Sequence, residues 1–242
     1  MKNLLDKEID SIIFDLDGTL WDAATACSMA WNLSFEQCGY NNTIDRKLVK
    51  KISGTPLYII LSEYFTFIGK NDYEKVTGLY KKNEPVFMES IGGKLFPYTG
   101  YTLKKLCEHK KLFIVSNCLK GYIENFIEKK KLNKIFTGYT CSGETGLGKD
   151  KNIQTIIAKY KLHSPIYVGD TQWDYEASEK NNIPFVFAKY GFGKINNAKY
   201  EIKNIKELIV CERCTSIVCT KNNPKKASRL RFYVEKEPRQ HV

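Results

Sequence analysis

Residues 11–22 read SIIFDLDGTLWD, and the reading of this stretch decides the fold. Residues 9–14, IDSIIF, are mostly β-branched or aromatic, and turn-forming residues follow soon after. The pattern predicts a strand that runs out at Asp15. Residues i and i+2 of a strand share a face. Asp15 and Asp17 are therefore expected to point the same way at the strand's end, where their like charges repel. In open α/β sheets the carboxyl ends of the strands are where ligands bind, so an acid pair there has a chemical reading.

Working outward, residues 23 to about 90 change character. ATACSMAWNLSFEQCG (24–39), TIDRKLVKKISG (43–54), PLYIILSEYFTFIG (56–69) and DYEKVTGLYKKNEPVFMESI (72–91) carry helical periodicity with little strand. After LFPYTG (95–100) strands alternate with helices. KLFIVSN (111–117), IFTGYTC (135–141), PIYVGD (165–170) and IPFVFAK (183–189) read as strands. The segments between them read as helices. Such alternation predicts an α/β fold: a doubly wound, mostly parallel sheet with helices on both faces, interrupted after its first strand by an inserted helical domain. The expected division is a core of 1–21 and 93–210, a helical cap of 22–92, and a basic, Cys-containing tail of 211–242.

Other strand ends carry the remaining chemistry. Ser116 and Asn117 end one strand; Asp170 ends another, and Asp174 follows one helical turn later. Lys149 sits in the Gly-rich loop GETGLGKDKN (143–152). Parallel topology gathers these groups at one sheet edge. Four acids together call for a hard divalent cation with oxygen ligands, and Mg²⁺ prefers a few carboxylates plus waters and a phosphate oxygen. One Asp is then available to attack phosphorus. Mg²⁺, Lys149, the Ser116 hydroxyl and loop N–H groups would neutralise the equatorial oxygens.

DLDGTLWD (15–22), VSN (115–117), GLGKDK (146–151) and GDTQWDYEAS (169–178) occur in an order and spacing that resemble the haloacid dehalogenase-like superfamily. The chain is most similar to the phosphoglycolate phosphatase-like members with a helical cap on a Rossmann-like core, over about residues 9–209. The resemblance implies Asp15 as nucleophile and Asp17 as general acid and then base. It implies Ser116 and Lys149 as catalytic and, with Asn117, phosphate-binding. Asp15, Asp17 (through its backbone carbonyl), Asp170 and Asp174 would serve the metal, and Thr19 would shape the hinge. The implied activity is Mg²⁺-dependent hydrolysis of a small phosphorylated metabolite through an aspartyl-phosphate. An acid at position 17 favours phosphate esters over haloacids, because an alkoxide needs protonation and a halide does not. A sugar-phosphate mutase resembling β-phosphoglucomutase is the alternative reading, followed by a non-catalytic protein that binds through the basic tail.

The 242 residues are 43% hydrophobic and 27% charged, as in globular proteins generally. No apolar run is long enough to cross a bilayer, and the N-terminus lacks a signal-peptide pattern. A cytoplasmic protein with no membrane partner is expected. Of the formal net charge of +11, residues 211–242 supply +5 (eight Lys/Arg less three Asp/Glu). Charge of this kind does not by itself indicate nucleic acid. Cys211, Cys214 and Cys219 make an incomplete zinc pattern, since a structural site wants four ligands. Trp21 is expected in the core. Trp173 stands where a small residue is expected, and YGFG (190–193) reads as a turn or a loop near the site.

Overall fold

The computed structural model describes residues 9–196 and 198–209; the tail and its three cysteines lie outside the described residues. Six parallel strands form one sheet: β1 (Ser11–Phe14), β4 (Lys111–Ser116), β5 (Gly138–Cys141), β6 (Pro165–Gly169), β7 (Phe185–Ala188) and β8 (Glu201–Ile202), in the order β5-β4-β1-β6-β7-β8. β1 is central. It pairs in register with β4 on one side (Phe14 opposite Ile114) and with β6 on the other (Phe14 opposite Val168). Both faces of these strands are covered, which is why they read as near-continuous apolar runs rather than alternating ones.

The two faces separate by residue parity. Ile12, Phe14, Ile114 and Val168 pack on one side with Leu103 of α5 (Thr99–Leu106) and with Ile123 and Phe126 of α6 (Tyr122–Lys129). Ile13, Phe113, Val115 and Tyr167 pack on the other with Ile153 and Ile156 of α8 (Lys149–Tyr160) and Ala177 of α9 (Gln172–Lys180). A short helix, α7 (Ser142–Thr145), follows β5 directly.

Between β1 and β4 the chain leaves the sheet and returns through a two-stranded antiparallel ribbon, β2 (Trp21–Asp22) with β3 (Lys94–Leu95). The intervening residues form α1 (Ala24–Gln37), α2 (Arg46–Ile52), α3 (Leu57–Ile59, running into a π-helical turn at Ile60–Tyr64) and α4 (Tyr73–Ser90). They carry a core of their own. Trp31 stacks on Tyr80 with ring centroids 3.7 Å apart and meets Phe65 edge-on at 4.9 Å. Val76, Phe35 and Ile68 complete it. Trp21, at the ribbon, is fully buried and packs edge-on against Tyr122 and Phe126. Tertiary packing thus claims Trp21 for the sheet side of the molecule, as the sequence suggests.

Candidate active site

The carboxyl end of β1 delivers Asp15, whose backbone N–H donates to the Val168 carbonyl at 2.9 Å and so continues the parallel ladder one residue past the strand. Lys149 opens α8, and its Nζ donates to Asp15 Oδ1 at 2.6 Å and to Asp174 Oδ1 at 2.5 Å. All three side chains are almost fully buried. A cation in the first turn of a helix sits against the macrodipole, and burial alone would pull the ammonium pKa down. Asp15 and Asp174 outweigh both effects and hold it above the ordinary lysine value.

Asp174 is committed from several sides. It closes a capping box on α9, with the Thr171 N–H and hydroxyl donating to Oδ2 at 2.9 and 2.7 Å. The Tyr167 hydroxyl donates to Oδ1 at 3.2 Å. Asp170, just past β6, accepts from the Thr19 hydroxyl at 3.1 Å and from the Phe192 and Gly193 N–H groups at 2.7 and 3.2 Å. Thr19, expected to shape the hinge, therefore also orients an acid. The turn after β1 must come very close to do this. Gly18 has φ +87°, and a Cβ there would lie 2.3 Å from Asp170 Oδ2. The GFG segment is equally constrained, because a Cβ at Gly191 would lie 2.3 Å from Asp170 Cβ.

Asp15, Asp170 and Asp174 each bring a carboxylate oxygen within 4.8 Å of the others. Three carboxylates and one ammonium leave the buried cluster two negative charges over when all are ionised. Burial, and then the neighbouring acids, drive Asp15 well above the ordinary carboxylate range and Asp170 up to about 7. A divalent cation is the group that relieves such a cluster, and an all-oxygen donor set suits Mg²⁺. The residues present fit that ion.

The Asp17 carboxylate is not part of this triad. It turns instead towards α6, where the Tyr122 hydroxyl donates to its Oδ1 at 2.8 Å. Burial raises Asp17 to about 6, against the lowering effect of that hydrogen bond. Ser116, buried at the end of β4, and Asn117 border the same cavity as Asp15 and Asp17. The Asn117 amide group donates to the Gly54 carbonyl at 2.8 Å and its oxygen accepts from the Ser142 hydroxyl at 2.7 Å. It thus ties the helical insert to the sheet. The cavity, about 110 Å³, lies between the sheet edge and the insert and is bordered on the insert side by Trp31, Ile52, Thr55, Leu57, Tyr80 and Glu84.

Several of these residues were not legible as site residues. Tyr122, Tyr167, Thr171 and Glu84 are helix- or strand-typical residues whose roles appear only when distant segments meet. GFG had a signal, two glycines around one aromatic after a strand, but a glycine pair is as common in turns. Trp173 is half-buried on α9 and does not border the cavity. Of the residues 54–58, Gly54, Thr55 and Leu57 border the cavity while Tyr58 is 70% exposed.

The chain is 27% identical over 196 residues to a phosphoglycolate phosphatase of Aquifex aeolicus, covering 77% of this chain and 87% of that protein. It is 23% identical over 211 residues to the pyrophosphatase PpaX of Oceanobacillus iheyensis, covering 83% and 95%. Among solved structures, a haloacid dehalogenase-like family protein of Streptococcus pneumoniae superposes with a TM-score of 0.72 at 22% identity, covering 84% of this chain and 97% of that one. A structure from Clostridium acetobutylicum described as a predicted phosphatase gives 0.74 at 22% identity, covering 86% and 98%. At such identities these two establish the fold. Residues 12–188 match the family model of the haloacid dehalogenase-like hydrolases, which runs from within β1 to the end of β7 and takes in every acid of the cluster, so the chain belongs to that family.

Proposed function

We propose that the protein is a Mg²⁺-dependent phosphomonoester hydrolase acting on a small phosphorylated metabolite. The observation that carries this reading is the pairing of Asp15 with Lys149 at 2.6 Å beside a second acid, Asp17, held apart from the triad by Tyr122. The names of the Aquifex and Oceanobacillus relatives, one a phosphatase and one a pyrophosphatase, agree with it.

Asp15 Oδ attacks phosphorus as the ester P–O bond breaks, giving an aspartyl-phosphate. Asp17, lifted to about 6 by burial, keeps a protonated fraction near neutrality, and in that form it gives its proton to the departing alkoxide. General acid help of this kind is worth ~10²–10⁴-fold. Asp17 then takes a proton from water, which attacks phosphorus, frees the Asp15 carboxylate and releases inorganic phosphate. Lys149 keeps Asp15 oriented and offsets charge on the transferring group. Ser116 and Asn117 face the phosphoryl oxygens. Asp15, Asp170 and Asp174, with the Asp17 carbonyl, would hold the Mg²⁺, which when bound neutralises phosphoryl charge. The helices of 22–92 act as a cap that excludes bulk water from the cavity.

The test is hydrolysis of p-nitrophenyl phosphate by the full chain with Mg²⁺ and with chelator. We expect turnover that chelation removes, and a loss of at least ~10³-fold in kcat for Asp15→Asn with an unchanged circular dichroism spectrum. Undiminished turnover by that variant would remove Asp15 from the role of nucleophile.

A further inference from the structure

Glu84 is unlike any other acid of the helical insert. It lies in the middle of α4, is only 4% exposed, and borders the cavity that contains Asp15 and Asp17. One of its oxygens accepts from the Tyr80 hydroxyl at 2.6 Å; the other takes no hydrogen bond from a described residue. A buried carboxyl costs stability unless it is paired, and no Lys, Arg or His side chain is among the described residues that border this cavity. The rest of the insert's wall is chiefly apolar: Trp31, Val49, Ile52, Leu57 and Ile60.

Polar groups connect Glu84 to the catalytic acids. Tyr80 bonds Glu84, Cys27 Sγ lies 3.8 Å from the Tyr122 hydroxyl, and Tyr122 bonds Asp17. Glu84 belongs to the insert's wall of the cavity, whereas Asp15 and Ser116 come from the sheet edge, so the alcohol portion of an ester held at Asp15 would extend towards the wall that carries Glu84. One water-sized group needs roughly 10–15 Å³ in a cavity of this measure, so about 110 Å³ favours esters whose alcohol portion has few heavy atoms.

We propose that Glu84, with the apolar wall around it, selects phosphate monoesters whose alcohol portion is small, non-anionic and carries a hydroxyl or ammonium donor, and rejects those carrying a carboxylate. This rests on the phosphatase reading and narrows its substrate class. A hydroxyl donates to the free Glu84 oxygen; an ammonium pairs with the ionised carboxylate. A carboxylate entering the same space would lose its water and meet Asp17 and Glu84, with no Lys, Arg or His side chain among the described lining residues to replace it. Discrimination then comes from the penalty against the wrong substrate as much as from contact with the right one. Burial holds Glu84 up to about 8, with Tyr80 opposing and Asp17 adding to the effect, so near neutrality it is chiefly a neutral carboxyl, which an arriving ammonium ionises by lowering that value. By this reasoning phosphoglycolate, in the name of the Aquifex relative, is a poor substrate here.

The test is kcat/KM of the full chain with Mg²⁺ on a matched two-carbon series: 2-hydroxyethyl phosphate, O-phosphoethanolamine and 2-phosphoglycolate, with p-nitrophenyl phosphate as reference. The hydroxyl and ammonium members are expected to exceed phosphoglycolate by ten-fold or more. Glu84→Gln should narrow the ammonium-to-phosphoglycolate ratio by about ten-fold. Phosphoglycolate equalling or exceeding the other two, or a ratio that Glu84→Gln leaves in place, overturns the assignment while the phosphatase reading stands. Inertness towards all four esters overturns both. The wild-type ratio decides the matter even should the variant fold poorly.

Discussion

Asp174 is an N3 capping acid and a partner of Lys149 at once. Taken from the sequence, a helix-start Asp and a site Asp are competing readings of one residue; here the cap is what fixes the carboxylate for the site. Tyr122 teaches the same point in reverse. Nothing in YIENFIEK marks its hydroxyl as special, because only the crossing of α6 over the end of β1 brings it to Asp17. A hydrogen bond to a charged group contributes about 1.5–3 kcal/mol. Tyr122→Phe is therefore expected to lower kcat for phosphate esters by roughly ten-fold or more, with KM little changed, as steady-state kinetics would show. At Gly18 backbone and side chain conflict outright. Gly18→Ala needs a positive φ and puts a methyl group onto Asp170, so both melting temperature and activity should fall.

The elements were legible to different degrees, for reasons of length. The strands β1, β4, β6 and β7 stand out as unbroken apolar runs, and the helices α1, α4, α8 and α9 have enough residues to display a period. The ribbon of β2 and β3, the four-residue α7 and the two-residue β8 do not. The segment 56–69, expected as one helix, is a short α-turn followed by a π-turn. Gly54 was visible as a break, but not that its carbonyl meets Asn117. α2 is joined to the ribbon by charge: Asp22 accepts from Arg46 at 2.8 Å and from Lys50 at 2.7 Å. Lys50 also lies over the Phe192 ring, 4.7 Å from its centroid. Arg46 is half exposed, and exposed ion pairs contribute ~0–1 kcal/mol. Asp22→Asn should therefore cost only a few degrees of melting temperature at low ionic strength. The deficit should shrink in 0.5 M salt, where the Debye length falls to a few ångströms.

At the scale of the molecule, topology made the acid cluster legible, since parallel strands put their carboxyl ends on one edge. The far wall of the cavity was not legible, because it is built where two hydrophobic cores meet and neither sequence segment carries a motif for it. Glu84 is where that meeting costs stability. Its folded-state pKa, about 8, stands above the ordinary 4.5. Between those values the folded chain holds a proton that the unfolded chain has lost, so this group lowers stability as pH rises from about 4.5 to about 8, after which its effect levels off. The full difference is on the order of a few kcal/mol. Glu84→Gln should accordingly gain on the wild type as pH increases, in urea unfolding at pH 5 and pH 8.5. A stability difference equal at both pH values would return Glu84 to an ordinary carboxyl. A change that stabilises the fold while blunting discrimination is the expected mark of a residue kept for use rather than for folding.

The antiparallel pairing of Trp21–Asp22 with Lys94–Leu95 has a consequence for how such chains diverge. Departure and return are side by side, so everything between them is, to the sheet, an overgrown hairpin loop. Closing a longer loop costs only slightly more entropy. Material can be added, removed or exchanged at that doorway without displacing a single strand, which leaves the phosphoryl chemistry fixed while the recognition surface drifts.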